Sequence, residues 1–390
     1  MTDAVVSATI VDDVSIKNDS EFGRLDMGSL YLDKDEIEEH MSLKEVAKNA
    51  SFRITAESET TPSPMPEMHH LNNDDHNNGS DVAAAKDIPD TNSDDSEPSL
   101  RDEEVNNVST DRFGFYITHK LGRDLSAAKQ AKRDAKEAER TTKWVKMLKN
   151  WNTTRTKKSD KLKRRVRKGI PDAVRAKVWA ELVQLQHCRD TFPSAIDDSR
   201  IATVPEQVLD EIQRDVDRTF PRHVMFVRRH GSGQKSLRRI LQLYAAFDPE
   251  VNYCQGMGFI AGMLLTYYAE EDALYFLIAI MQRSSVIPLR SLYLPSMHEA
   301  QKMLLIFHKL HCFYQPQLAA HMAENCIHYS MYATEWFMTL YTRNFSFALV
   351  TWIWDIYLNE GFKIIYRVAL ALLKVTTSHE ALLNLYNAVD

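Results

Sequence analysis

Two short strings hold the side chains best suited to chemistry in this chain: Ile212-Gln213-Arg214-Asp215-Val216-Asp217-Arg218 and Tyr253-Cys254-Gln255-Gly256. Asp215 and Arg218 stand at i and i+3, so on a helix they share a face and can pair. A guanidinium pinned by a carboxylate has little freedom left to lose on meeting a phosphate. Such an arginine can neutralise charge that grows on a transferred phosphoryl group, and a glutamine can orient an attacking water. Gln255 precedes a glycine at the mouth of an apolar stretch, where an uncrowded backbone can present its amide outward.

Local spacing leaves blander readings open. Asp215 and Arg218 also read as a surface ion pair of little consequence, and Gln255 as a cap or a core hydrogen bonder. The loop Gly231-Ser232-Gly233-Gln234-Lys235-Ser236 lacks the spacing of a phosphate-binding loop and reads as the turn before a helix. Gly256, Gly258 and Gly262 read as sites of close helix packing. Arg175 and Trp179 share a helix face and form a structural pair. Trp354-Asp355 is architectural too, the carboxylate securing a neighbouring helix end or basic group. His308, His311, His321 and His328 lie near one another without a cysteine or carboxylate in register, which argues against zinc. No metal ligands are assigned.

The elements that must position these groups are helical. Apolar periodicity predicts helices over 125–151, from Asp172 onward, and over 236–247, 255–268, 271–282, 298–313, 315–324, 334–342, 345–358 and 362–376. Alternating strands with hairpin signals are absent from the pattern, which excludes a Rossmann or P-loop enzyme. The fold class is all-α.

Charge divides the 390 residues unevenly. Residues 1–100 hold 23 acidic and 7 basic side chains, a net of −16, and the remaining 31 acidic and 41 basic residues leave +10. Residues 1–110 are polar and poor in aromatics, which predicts a disordered acidic arm. The body is not basic enough to argue for nucleic acid. Four scattered cysteines without a paired spacing suggest reduced thiols and a cytoplasmic setting. The start carries no secretory pattern, and no apolar run is long enough to span a bilayer. The aromatic cluster Asp111-Arg112-Phe113-Gly114-Phe115-Tyr116 marks a change of composition, and 155–168 carries nine basic residues against Asp160 alone. That stretch reads as a solvated basic connector, as a contact for anionic membrane, or as a nuclear signal.

Taken in order, these motifs resemble the TBC domain, the GTPase-activating domain for Rab GTPases. Gly169-Ile170-Pro171 with Arg175 and Trp179 resembles the family's opening; Ile212, Asp215 and Arg218 its Ile-x-x-Asp-x-x-Arg motif; Tyr253-Cys254-Gln255 its Tyr-x-Gln motif; and Trp354-Asp355 with Gly361 its late signature. The flanks Asp111-Arg112-Phe113-Gly114-Phe115, Thr334-Glu335-Trp336-Phe337 and Glu360-Gly361-Phe362-Lys363 resemble a subgroup with a helical segment before the domain. The resemblance implies a V-shaped, two-lobed helical domain over 167–390, short at its C-terminal end, after a disordered acidic arm (1–110) and a helical, basic lead-in (111–166). It implies activation of a Rab-type GTPase in its GTP form, regulating vesicle traffic, with Arg218 as an arginine finger and Gln255 as a glutamine finger. Asp215 would hold Arg218, and Tyr253 would shape the surface facing the partner. GTP and magnesium would come with the partner, so no cofactor of its own is implied. The alternative is a GTPase-binding or scaffold module of the same fold without activity. Recruitment to endomembranes or the plasma membrane would be peripheral.

Overall fold

The computed structural model describes residues 109–117, 127–282 and 289–376. The expected disordered arm lies outside them, apart from its last two residues, as does the stretch near Asp390 where the domain was expected to end short.

Among the described residues the structure is helical, with two isolated β-bridges, Thr110 with Tyr116 and Phe115 with His223. In chain order the α-helices are α1 (Ala127–Leu148), α2 (Trp151–Lys157), α3 (Ser159–Arg167), α4 (Asp172–Val183), α5 (Leu185–Thr191), α6 (Glu206–Arg218), α7 (Ser232–Phe247), α8 (Met257–Leu265), α9 (Glu270–Gln282), α10 (His298–Tyr314), α11 (Pro316–Glu324), α12 (Ser330–Met338), α13 (Phe347–Glu360) and α14 (Lys363–Thr376). Short 3₁₀ turns lie at Pro193–Ala195, Asp198–Thr203 and Leu289–Tyr293. The 3.6-residue period places most of these helices within a few residues of their expected bounds.

Helices α8 and α13 are buried nearly all round, which is why their sequences are close to continuously apolar. α7 packs on α6, α8 and α9, while α13 packs on α3, α4 and α14. Glu270, Glu271 and Asp272 open α9, where acidic side chains offset the helix dipole. Gly231 immediately precedes α7, so the 231–236 string forms the first turn of that helix and not a turn ahead of it. A Cβ on Gly233 would overlap the Met225 carbonyl, so only glycine admits the preceding loop there.

Asp355 joins the two ends of the folded body. Its Oδ2 accepts the Ile170 N–H at 2.7 Å, and its Oδ1 accepts Trp179 Nε1 at 2.7 Å and Arg175 Nε at 3.1 Å. Arg175 also donates to the Ile170 carbonyl. Trp354, next along α13, packs on Trp179 with ring centroids 5.7 Å apart. A buried carboxylate with three donors around it is satisfied, and none of these donors is left to compete for water.

The basic stretch 155–168 is not a solvated connector throughout. It forms the end of α2 and all of α3, with Leu162 and Val166 buried. Arg167 makes a bidentate pair with Glu360 at 2.7 and 2.9 Å, and Lys163 stands 3.6 Å from the same carboxylate. Arg155, Lys157, Lys158, Lys161, Arg164 and Lys168 remain exposed. α3 runs across the expected boundary at 166/167.

Candidate functional site

The site forms where the C-terminal end of α6 meets the turn into α8. α6 starts after Pro205 with Glu206 in its first turn and buries Ile212, Asp215 and Val216 on one face. That face carries Asp215 inward to 1% exposure while Arg218, one turn on, keeps a side chain 43% exposed. Arg218 pairs through Nε and Nη2 with Asp215 Oδ1.

Asp215 Oδ2 holds the second string. It accepts the Tyr253 hydroxyl and, at 3.0 Å, the Gly256 N–H. Burial and the neighbouring Asp215 carboxylate raise the Tyr253 hydroxyl well above its ordinary pKa, so it stays protonated and donates. Gly256 sits at φ +102°, a backbone state open to glycine and costly for other residues. This turn leaves Gln255 exposed. With its amide oxygen facing the guanidinium, the orientation that satisfies both groups, Gln255 accepts from Arg218 Nη2 at 2.8 Å and from Nη1 at 3.2 Å. Two side chains far apart in sequence therefore touch on one exposed rim.

The glycines of α8 allow this approach. A Cβ on Gly258 would lie 2.9 Å from the Thr219 hydroxyl, and one on Gly262 would lie 2.9 Å from the Thr219 methyl and 3.1 Å from the Phe220 ring. Thr219 is itself fixed, donating to the Asp215 carbonyl at 2.7 Å. Gly258 and Gly262 thus serve close packing, while Gly256 serves the turn.

Cys254 lies between Tyr253 and Gln255, half-buried. Burial, with Asp215 and Glu211 nearby, pushes its thiol up to about 11, so the thiolate is scarce near neutral pH. Arg175, Trp179, Trp354 and Asp355 stand apart from this rim, in the interior network around Asp355. Among the described residues, no group of three or more histidine, cysteine or acidic side chains is arranged to hold a metal ion. His308 and His328 instead lie against Tyr329, with ring centroids 4.5 and 3.9 Å away.

Sequence reasoning gave no role to Thr219 and Phe220, which seat α6 against α8, nor to the 111–116 aromatic cluster as a packing element. The cluster was visible as a change of composition. Nothing in its sequence showed that the Phe115 ring lies against Phe220.

Comparison with known proteins gives a consistent result. A sequence model of the Rab-GTPase-TBC domain matches residues 172–382. Mouse Carabin is 34% identical over 237 residues, 61% of this chain and 52% of its own length. Human TBC1 domain family member 10B is 33% identical over 284 residues, 70% of this chain and 34% of its own. The Rab GTPase-activating protein tbc-11 of Caenorhabditis elegans is 32% identical over 280 residues, 68% of this chain and 29% of its own. The chain thus spans about half or less of the length of these relatives. Among solved structures, the TBC domain of a Chlamydomonas flagellar RabGAP is similar, with a TM-score of 0.52 and 25% identity over 72% of this chain and 93% of that one.

Proposed function

The chain belongs to the Rab-GTPase-TBC domain family, and from that premise we propose that it activates GTP hydrolysis by a Rab-type GTPase in trans. The observation that carries this reading is the contact between Arg218 and Gln255 on an exposed rim, both tied back to one buried carboxylate. Arg218 would enter the partner's site and neutralise charge developing on the transferred phosphoryl. Gln255 would orient the attacking water. Asp215 would hold the guanidinium, so little freedom remains to be lost on docking. Tyr253 braces Asp215 from below and so shapes the face offered to the partner. GTP and magnesium would arrive with the partner in its GTP form, and this chain would supply side chains and no nucleotide pocket of its own.

Pairing of Gln255 with Arg218 in the free protein supports a pre-assembled device in which each group holds the other until a nucleotide competes for both. We place the protein in the cytoplasm, acting on vesicle traffic. The exposed cations Lys157, Lys158, Lys161 and Arg164 would supply a weak peripheral contact with anionic endomembrane or plasma membrane.

The test is single-turnover GTP hydrolysis across a panel of Rab proteins with wild type, Arg218→Ala and Gln255→Ala. Acceleration of at least one Rab, lost in Arg218→Ala, supports the reading. Binding to GTP-loaded Rab without acceleration by the wild type would instead establish a docking or scaffold module. Undiminished acceleration by Arg218→Ala would refute the finger assignment.

A further inference from the structure

The 111–116 segment lies outside residues 172–382, where the family's sequence model matches, yet it is bonded directly to the loop that follows Arg218. It folds back on itself first. Asp111 Oδ1 accepts the N–H groups of Phe113 at 2.8 Å and Phe115 at 2.9 Å, and Gly114 takes φ +91°. The folded turn then pairs outward. The Tyr116 N–H donates to the Arg222 carbonyl at 3.0 Å, and the Gly114 carbonyl accepts the Val224 N–H at 2.9 Å. His223 completes the clasp. Its Nε2 donates to the Phe113 carbonyl at 2.8 Å, and its Nδ1 accepts the Met225 N–H at 3.1 Å, a pattern that only the neutral ring with its proton on Nε2 can make.

Aromatic packing carries the clasp to the site. The Phe115 ring meets Phe220 edge to face, centroids 5.9 Å apart, and lies 4.7 Å from Phe347 and 4.9 Å from His223. Phe220 in turn meets Phe259 of α8 at 5.4 Å and Phe347 at 5.1 Å. Phe220 is two residues beyond Arg218 and sits at φ +47°, a left-handed state unfavourable for a bulky side chain. Such a state persists where its surroundings over-determine it. Here the surroundings are rings from the lead-in, from α8 and from α13. The chain turns away from α6 at this residue, so the same rings fix the direction in which the last turn of α6 presents Arg218.

We propose that the 111–116 clasp is a positioning element for the finger: Phe115, acting through Phe220, keeps the end of α6 in the register that brings Arg218 to Gln255. The proposal rests on the function given above. Its consequence is that the activating unit begins before the matched domain, with residue 111.

The test uses the full 390-residue chain carrying Phe115→Ala, Phe115→Leu or, as a control for lost core packing elsewhere, Leu162→Ala in α3. Single-turnover hydrolysis is measured against activator concentration, and amide hydrogen exchange is measured over 215–226. Misplacing a catalytic group by about 1 Å costs up to roughly 100-fold. Phe115→Ala is therefore expected to lower the maximal rate by about 10- to 100-fold while the half-saturating concentration changes by less than about twofold. Phe115→Leu recovers most of that loss, and Leu162→Ala keeps the maximal rate. In an Arg218→Ala background Phe115→Ala adds no further loss, because it acts through that arginine. A full additional loss in that background, or a wild-type maximal rate in Phe115→Ala, overturns the proposal. The exchange readout separates the two ideas. If the wild type accelerates no Rab, the functional reading fails, and the clasp is then decided by exchange alone. Faster exchange over 215–226 in Phe115→Ala but not in Leu162→Ala supports it, and unchanged exchange there overturns it.

Discussion

The Asp215 carboxylate accepts the Gly256 N–H at 3.0 Å, so the residue that holds Arg218 also fixes the turn that presents Gln255. One buried side chain sets the geometry of both Arg218 and Gln255. Asp215→Ala leaves the Tyr253 hydroxyl and the Gly256 N–H without their acceptor and releases Arg218. Unsatisfied buried donors cost about 1–3 kcal/mol each, so a total loss of about 2–6 kcal/mol is expected in urea unfolding. The acceleration should fall at least as far as in Arg218→Ala. An Asp215→Ala protein that hydrolyses at the wild-type rate would contradict the shared role.

Gln255 is exposed, and its amide contacts Arg218 without supporting the core. Gln255→Ala should therefore leave stability within about 0.5 kcal/mol. Its maximal acceleration should drop by about 100-fold or more, the usual scale for removing one group that acts on the transition state. Thermal melts read alongside single-turnover rates check both halves. A large stability loss would show instead that the amide is structural.

Asp355 receives Ile170, Arg175 and Trp179 with no exposure to solvent. Asp355→Ala takes one of two carboxylates from the buried Arg175 guanidinium, leaving it Asp172, and leaves the Ile170 N–H and Trp179 Nε1 without their acceptor. At about 1–3 kcal/mol for each orphaned donor, a loss of about 2–6 kcal/mol is expected. The urea midpoint should shift accordingly. Activity that survives at low temperature in this variant would mark the residue as architectural, in contrast to Asp215.

Three histidines titrate below the ordinary range. Burial lowers His223 against the pull of the Phe113 carbonyl; burial and His328 lower His308; burial and His308 lower His311. The unfolded chain therefore takes up protons first as pH falls. Stability is full above about 6.5, the unfolded value, declines as pH drops toward the folded values, and levels off below them. Urea unfolding between pH 7.5 and 5.5 should show this slope. His311→Leu, at a position 2% exposed, should reduce it, and an identical slope in that variant would exclude His311 as a contributor.

The exposed cations of α2 and α3 can be separated from the structural ones. Lys163 and Arg167 serve Glu360, and Arg165 donates to the Lys143 carbonyl at 3.1 Å. Neutralising Lys157, Lys158, Lys161 and Arg164 should therefore spare the fold and weaken flotation with anionic liposomes, more at low salt than at high. Unchanged flotation would remove the membrane contact.

Much of the fold was legible because helical periodicity is a local property. The unbroken apolar run of α8 announces burial by composition alone. The basic stretch was harder to read. Leu162 and Val166 are two apolar residues among many cations, and their burial depends on α13, which lies far along the chain. The packing of the 111–116 cluster was not legible for the same reason, since its partners, Phe220, His223 and Phe347, come from distant segments.

The sequence by itself determined most of the helices, while Arg218 and Gln255 stood out as candidates through the order of four motifs. It also determined the i, i+3 relation that lets Asp215 hold Arg218, because helices and such spacings depend on neighbours within a turn or two. Only the tertiary structure decided that Gln255 meets that arginine, that Asp215 divides its oxygens between two segments, and that a turn from before the matched domain braces the loop after Arg218. Those relations depend on which helix faces pack together. That packing is set by burial across the whole chain, which local spacing does not encode.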